Sequence, residues 1–299
     1  MAEVRIGISG WRYPPWRGVF YPQGLPQKQE LHFASRALSS IEINGSFYAL
    51  QTPERYANWY ADTPDDFIFS VKAPRYITHI RRLRDIDGPL ANFLASGVLE
   101  LKGKLGPILW QFPPSMRFDA ELFDAFLQRL PHDFTAARAV AAQHEARMAG
   151  RVAVSGRYRG ALRHAVEIRN QSFVTREFAD LLRRYKVALV VADTAGKWPD
   201  REDVTSDFVY VRLHGDQVLY ASGYGDAALK SWAARIEAWR HGGQPDDARL
   251  IVERVPPRRA SRDVFCYFDN DIKVKAPFDA ARLVALLGLG EPLGEPGAT

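Results

Sequence analysis

Arg163-His164-Ala165-Val166-Glu167-Ile168-Arg169-Asn170 is the stretch that decides how this chain is to be read. In an extended segment successive side chains point to opposite faces, so Val166 and Ile168 suit an apolar layer while Glu167 and Arg169 look the other way. Two opposite charges on one face of a buried strand are costly unless they are paired or used. The same pattern recurs along the chain. Strands are predicted over 4–10, 40–44, 67–72, 107–112, 187–193, 208–215 and 264–271, and most of them end in polar groups of one parity. Segment 187–193 is apolar on both faces, as a central parallel strand should be.

Between these strands the apolar spacing turns helical. Thr52 is placed to cap a helix that Pro53 opens and that runs to about residue 62, and Thr175 caps a second over 175–185. Leu122, Phe123, Phe126, Leu127 and Leu130 make 119–130 amphipathic. Helices are also predicted over 29–38, 89–102, 228–239 and 277–287. Eight strands alternating with helices spell a single (β/α)8 TIM-like barrel over residues 1–290. Residues 131–162 read as a partly helical insertion, 250–263 as irregular chain and 291–299 as a flexible tail. No P-loop and no G-x-G-x-x-G occurs, which argues against a nucleotide-binding Rossmann fold.

Composition narrows the class. A chain of 299 residues with 46% apolar content can bury one large α/β core or two smaller ones. The absence of a run of eighteen apolar residues argues against a membrane span. The first residues enter a strand without the pattern of a secretory signal, and a single cysteine, Cys266, allows no internal disulfide and no cysteine-rich zinc site. A cytoplasmic location is expected. The formal charge of +5 is spread over interleaved acids and bases, which reads as solvated helix faces, although a basic surface also attracts phosphate-bearing partners.

The ordered motifs resemble those of the DUF72 (YecE-like) family. They are Gly7-Ile8-Ser9-Gly10-Trp11 with Tyr13 and Trp16, Glu42-Ile43-Asn44 with Phe47-Tyr48, Phe69-Ser70-Val71-Lys72, Gln111-Phe112-Pro113, Glu167-Ile168-Arg169, Tyr210-Val211-Arg212-Leu213-His214-Gly215 and Tyr267-Phe268 with Asn270. The likeness runs from residue 4 to about 287. It implies a TIM-like barrel and brings no activity with it.

In parallel barrels the carboxyl ends of the strands converge on one mouth. Collecting the polar strand ends there gives Glu42, Asn44, Lys72, Gln111, Glu167, Arg169, Asp193, Arg212, His214 and Asn270. Acid/base work needs groups whose surroundings push their pKa values apart, and Lys72, Glu167, His214 and Glu42 are the candidates. Arg169 and Arg212 suit a bidentate grip on a carboxylate or phosphate, and Gln111, Asn44 and Asn270 suit hydroxyls or amides. Tyr210 is expected to pack inside the barrel, and Tyr13 and Trp16 either stack on a ligand or pack on each other as a lid.

No cofactor is predicted. A divalent ion held by Glu42, Glu167, Asp193 and His214 stays open, opposed by Lys72, Arg169 and Arg212, which would repel it. The resulting expectation is an enzyme acting by acid/base chemistry on a small polar, anionic ligand of sugar-phosphate or carboxylate type. Its reaction class, hydrolase, lyase or isomerase, is open. The competing expectation is a non-catalytic nucleic-acid binder or processing accessory. It would use the basic surface, the 131–162 segment and the Trp11/Tyr13/Trp16 loop.

Overall fold

The alternation seen in 163–170 holds round a closed circle. The structure is a computed structural model and describes residues 2–253, 256, 259–270 and 274–291. The strands are β1 (Val4–Ser9), β2 (Ser40–Ile43), β3 (Ile68–Lys72), β4 (Leu105–Gln111), β5 (His164–Glu167), β6 (Ala188–Asp193), β7 (Phe208–Leu213) and β8 (Asp263–Phe268). They pair in sequence order, all parallel, and β8 returns to β1 to close the barrel. This is the (β/α)8 architecture predicted.

Side-chain parity sorts the strands into two apolar layers. Ile6, Ile8, Ile41, Ile43, Val71, Ile108, Val166, Val191, Val211, Leu213 and Cys266 face outward and pack with the surrounding helices. Leu109, Ala165, Ala188, Val190, Ala192, Phe208, Tyr210, Phe265 and Tyr267 form a separate cluster that fills the barrel. Gly7 belongs to the inner parity, where β1 and β2 run so close that a Cβ would lie 2.0 Å from the Ser40 carbonyl oxygen. Only glycine fits there.

The caps act as the sequence implies. The Thr52 hydroxyl accepts from Arg55 N at 3.3 Å at the start of the helix Pro53–Asp62. Thr175 accepts from Phe178 N at 3.2 Å before Arg176–Arg184, and Asp119 accepts from Leu122 N at 3.1 Å before Ala120–Arg129. Within 131–162 lies the helix Phe134–Ala141, capped by Asp133, whose Phe134, Ala137 and Ala141 are buried against the main core.

Several strands stop short of their expected ends: β1 at Ser9, β2 at Ile43, β4 at Gln111 and β7 at Leu213, and two others with more consequence for the site. β5 stops at Glu167 and β8 at Phe268, so Asp269 and Asn270 lie just past the strand, and Asp271 is outside the described residues. The 291–299 tail and most of Pro256-Pro257-Arg258-Arg259 are also outside them, with only Pro256, Arg259 and Glu291 described. No helix among the described residues is long and apolar enough to cross a membrane.

Candidate functional site at the carboxyl end of the barrel

The inner parity that buries Leu109 and Ala165 at mid-barrel delivers Gln111 and Glu167 one step later to the carboxyl end. The ladder sets Gln111 beside Glu167, Ser9 beside Glu42, and Arg212 beside Tyr267. Beneath this charged layer lies a hydroxyl layer. The Tyr267 hydroxyl is 2.7 Å from Ser40 Oγ and 2.8 Å from Ser70 Oγ. Tyr210 rises from that layer and donates to Glu42 Oε2 at 2.6 Å. The tyrosine packs inside the barrel as expected, and its hydroxyl also belongs to the site.

Arg212 is the hub and is fully buried. Its Nε donates to Glu42 Oε2 at 3.1 Å, and Nη2 donates to Glu42 Oε1 and to Asp269 Oδ2, both at 2.9 Å. Nη1 donates to Glu167 Oε2 at 2.7 Å and faces His214 Nε2 at 3.2 Å. A guanidinium has five N–H donors, and each has a protein partner here. That corrects the expected clamp: Arg212 has no donor left for a ligand. It holds three carboxylates from β2, β5 and the exit of β8 in place.

The carboxylates are equally occupied. Ser9 Oγ donates to Glu42 Oε1 at 2.8 Å, while Gln111 Nε2 and Arg169 Nε donate to Glu167 Oε1 at 2.9 and 2.8 Å. Burial alone would raise the Glu167 pKa, but Arg169 and Arg212, with His214 and Lys72 behind them, hold it well below the usual carboxylate range. Asp269 is treated alike: burial pushes up, and Arg212 and His214 pull it well down. His214 Nδ1 lies 3.0 Å from Asp269 Oδ2, off the line of a good hydrogen bond. Because an Arg212 N–H occupies Nε2, the neutral ring carries its proton on Nδ1, toward Asp269. Burial first, and then Arg212, lower the His214 pKa, so the ring is neutral near pH 7.

Lys72 differs from all of these. It is buried at the end of β3 with its carbonyl accepting from Ser46 Oγ at 2.7 Å; its ammonium lies 4.3 Å over the Phe47 ring and makes no hydrogen bond or ion pair among the described residues. Burial first, and then Arg212, push its pKa down to about 8, against the pull of Asp269, Glu167 and Glu42. His79, packed edge-on against Phe47 at 5.1 Å, is pushed down to about 4 by burial and then by Lys72.

Arg169 keeps free capacity. Besides Glu167 it reaches the Tyr220 hydroxyl at 3.2 Å and stacks 3.8 Å over Trp198. Tyr220 lies in the β7-to-α loop with φ +63, a conformation that bulky residues rarely adopt, and its ring meets His214 edge-on at 5.3 Å.

Four other expected members lie elsewhere. Asp193 has outward parity, accepts from the Tyr224 hydroxyl at 3.1 Å and borders a cleft of about 510 Å³ that reaches the network only at Arg169. Asn270 is buried with its amide donating to Ser222 O and Asp279 Oδ2, both at 2.9 Å, away from the network. Asn44 follows the end of β2 and begins the short helix Gly45–Tyr48, which turns it out of the strand's alternation. Trp16 is fully buried between Tyr13, Phe20 and Tyr21, so it presents no face to a ligand, and Trp11 is nearly as enclosed. Sequence reading missed Asp269, although Phe265 and Tyr267 share its parity. It also missed Ser9, which Gly7 should have marked as inward-facing.

The donor set does not suit a divalent ion. Glu42 and Glu167 meet, but their oxygens are taken by arginine, tyrosine, serine and amide donors. Asp193 is outside the network. Among the described residues no group of three or more His, Cys, Asp or Glu is arranged to hold a metal.

Known proteins share this framework. Over 127 residues, 38% of this chain, the sequence is 31% identical to the UPF0759 protein YecE of Escherichia coli strain K12; the match spans 44% of that protein's length. The fold matches a DUF72 family protein from Thermotoga maritima with a TM-score of 0.69 and 22% identity, covering 96% of this chain and 99% of the other. A DUF72 family protein from Enterococcus faecalis gives a TM-score of 0.69 at 16% identity, covering 99% and 98%. The family model described as "Protein of unknown function DUF72" matches residues 5–297, nearly the whole chain. The chain therefore belongs to the DUF72 family.

Proposed function

We propose that the barrel mouth binds a small polar, anionic ligand of sugar-phosphate or carboxylate type and turns it over by proton transfer at Lys72. The supporting observation is the contrast between Lys72 and its surroundings. Around it, Glu42, Glu167, Asp269 and Arg212 satisfy one another, whereas the lysine nitrogen, at the tip of a side chain only 8% exposed, is unpartnered among the described residues and poised near pH 8. Ionisable groups with strongly shifted pKa values cluster where they are used, and a near-neutral amine is matched to acid/base work at physiological pH.

The roles follow from which atoms are free. Lys72 as the amine takes a proton from a C–H or O–H acid of the ligand and, as the ammonium, returns it. Arg169, whose remaining guanidinium donors are open, anchors the anionic group. Glu42 and Glu167, with every oxygen engaged, form a fixed negative frame that sets the lysine's charge balance. His214, with one nitrogen facing Arg212 and the other Asp269, holds that frame in register.

A thermal-shift comparison tests this. Ribose 5-phosphate, glucose 6-phosphate, 3-phosphoglycerate and citrate are offered to the unaltered protein, to Lys72→Met and to Arg169→Met. A ligand at a hundred times its Kd adds about 2.7 kcal/mol, on the order of 5 °C in Tm. At least one compound should produce such a shift in the unaltered protein and none in either variant. Shifts that persist in both variants, or no shift with any compound, would count against the mouth as the site.

A further inference from the structure

Beside the mouth, the loops after β1 and β2 and the helices Glu30–Ala37 and Pro53–Asp62 enclose a second cleft of about 540 Å³. It touches none of the acid/base groups. It adjoins their network, however, since Gly10 follows Ser9, which donates to Glu42, Asn44 stands two positions after Glu42, and Gly10 N donates to the Glu42 carbonyl at 2.8 Å. The volume falls within the range of small-ligand pockets.

The chemistry of the lining is uneven in a useful way. Arg12, Lys28 and Arg55 are exposed side chains opening on the cleft, and none has a carboxylate partner among the described residues; Arg55 donates only to Gln51 Oε1, at 3.0 Å. The single acid of the lining, Asp62, is already engaged by His32 at 3.0 Å. The cleft is therefore a concentration of unspent positive charge. Its wall is aromatic: Tyr13 and Trp59 are half-buried, and Trp59 is braced edge-on by Trp11 at 5.3 Å and Tyr56 at 5.2 Å. Braced rings of this kind offer a flat, pre-organised apolar face.

Two exposed amides, Gln27 and Asn58, also line the cleft and leave donors and acceptors open to it. The complementary molecule carries an anionic group for the three cations, a flat body for the rings, and both N–H or O–H donors and acceptors.

We propose that this cleft is a binding site for a nucleoside monophosphate, with the phosphate between Arg12, Lys28 and Arg55 and the base against Trp59 and Tyr13. This site is separate from the proton-transfer site at Lys72 and does not depend on it.

Isothermal titration of the full chain with AMP, GMP, CMP and UMP, and with adenosine and inorganic phosphate as fragments, tests the assignment. At least one nucleotide should bind saturably, and both fragments should bind at least tenfold more weakly than AMP or its best counterpart. The double substitution Arg12→Ala/Arg55→Ala, at exposed positions that leave the core intact, should weaken nucleotide binding at least tenfold; Trp59→Leu should weaken it for the base-bearing ligands and leave inorganic phosphate unchanged. Lys72→Met should bind as the unaltered protein does. The proposal is overturned if no nucleotide saturates the protein or if phosphate binds as tightly as the nucleotides. It is equally overturned if Lys72→Met removes binding that the double variant keeps.

Discussion

Replacing Arg212 with methionine is expected to cost the fold about 5 kcal/mol at pH 7, a third or more of the stability of an ordinary domain. The guanidinium is the shared counter-ion of Glu42, Glu167 and Asp269, all held at 2.7–2.9 Å and nearly or wholly out of water. Removing one partner of a buried pair costs about 3–5 kcal/mol because a charge is left uncompensated, and here one substitution strands three groups. The pH dependence distinguishes this cause from simple loss of packing. In the unaltered protein Glu167 and Asp269 have depressed pKa values, so their stabilisation is full above about 4 and is lost as pH falls below it. Without Arg212, burial dominates and their carboxyls titrate upward, so the variant should regain stability between pH 7 and 5. Urea unfolding across that range reads both curves. A variant as stable as the parent, or one that loses stability on acidification in the same way, would show that the network is not held by Arg212.

Lys72→Met is expected to act in the opposite direction and stabilise the protein. The folded-state pKa near 8, against 10.5 in model compounds, means that the native structure disfavours the ammonium relative to the amine. At about 1.4 kcal/mol per unit this is a penalty on the order of 3 kcal/mol, from which the lost contact with the Phe47 ring must be subtracted. The penalty is fully present below pH 8 and fades as pH rises from 8 to 10.5, because only the unfolded chain still takes up the proton there. The methionine variant should therefore be more stable by about 1–3 kcal/mol at pH 7 and gain nothing at pH 10.5. A group retained at a cost to stability is what a functional residue looks like. Lower stability of the variant at pH 7 would instead make Lys72 a structural counter-ion for the carboxylates.

Much of the barrel was legible because side-chain alternation is local. In 163–170 and in 208–215 Val166, Ile168, Val211 and Leu213 alternate with the polar residues, and that alternation places Glu167, Arg169, Arg212 and His214 on the inner face. Lys72 and Gln111 follow from the same parity. The failures occur where strands end. Around β8 the run Asp269-Asn270-Asp271 offers a polar residue at either parity, and only counting on from Phe265 and Tyr267 selects Asp269 over Asn270. Asp193 fails the same count against Val190 and Ala192, and Asn44 fails because the chain has already turned into a helix. Trp16 looked available because a proline-bound aromatic loop says nothing about which rings pack on which. The saturation of Arg212 was beyond sequence reading, since its partners come from several strands and strand exits up to 203 positions away.

The most direct measurement is the titration of Lys72 itself, by NMR of protein carrying carbon-13 at the lysine ε position. Nine lysines give few signals, and Lys72→Met identifies the one to follow by its disappearance. A partnerless amine in a buried, satisfied network should titrate with a midpoint near 8, more than two units below the 10.5 of a free lysine. A midpoint at or above 10.5 would mean that the carboxylates around it hold it as a permanent cation, and the case for proton transfer at this mouth would be lost.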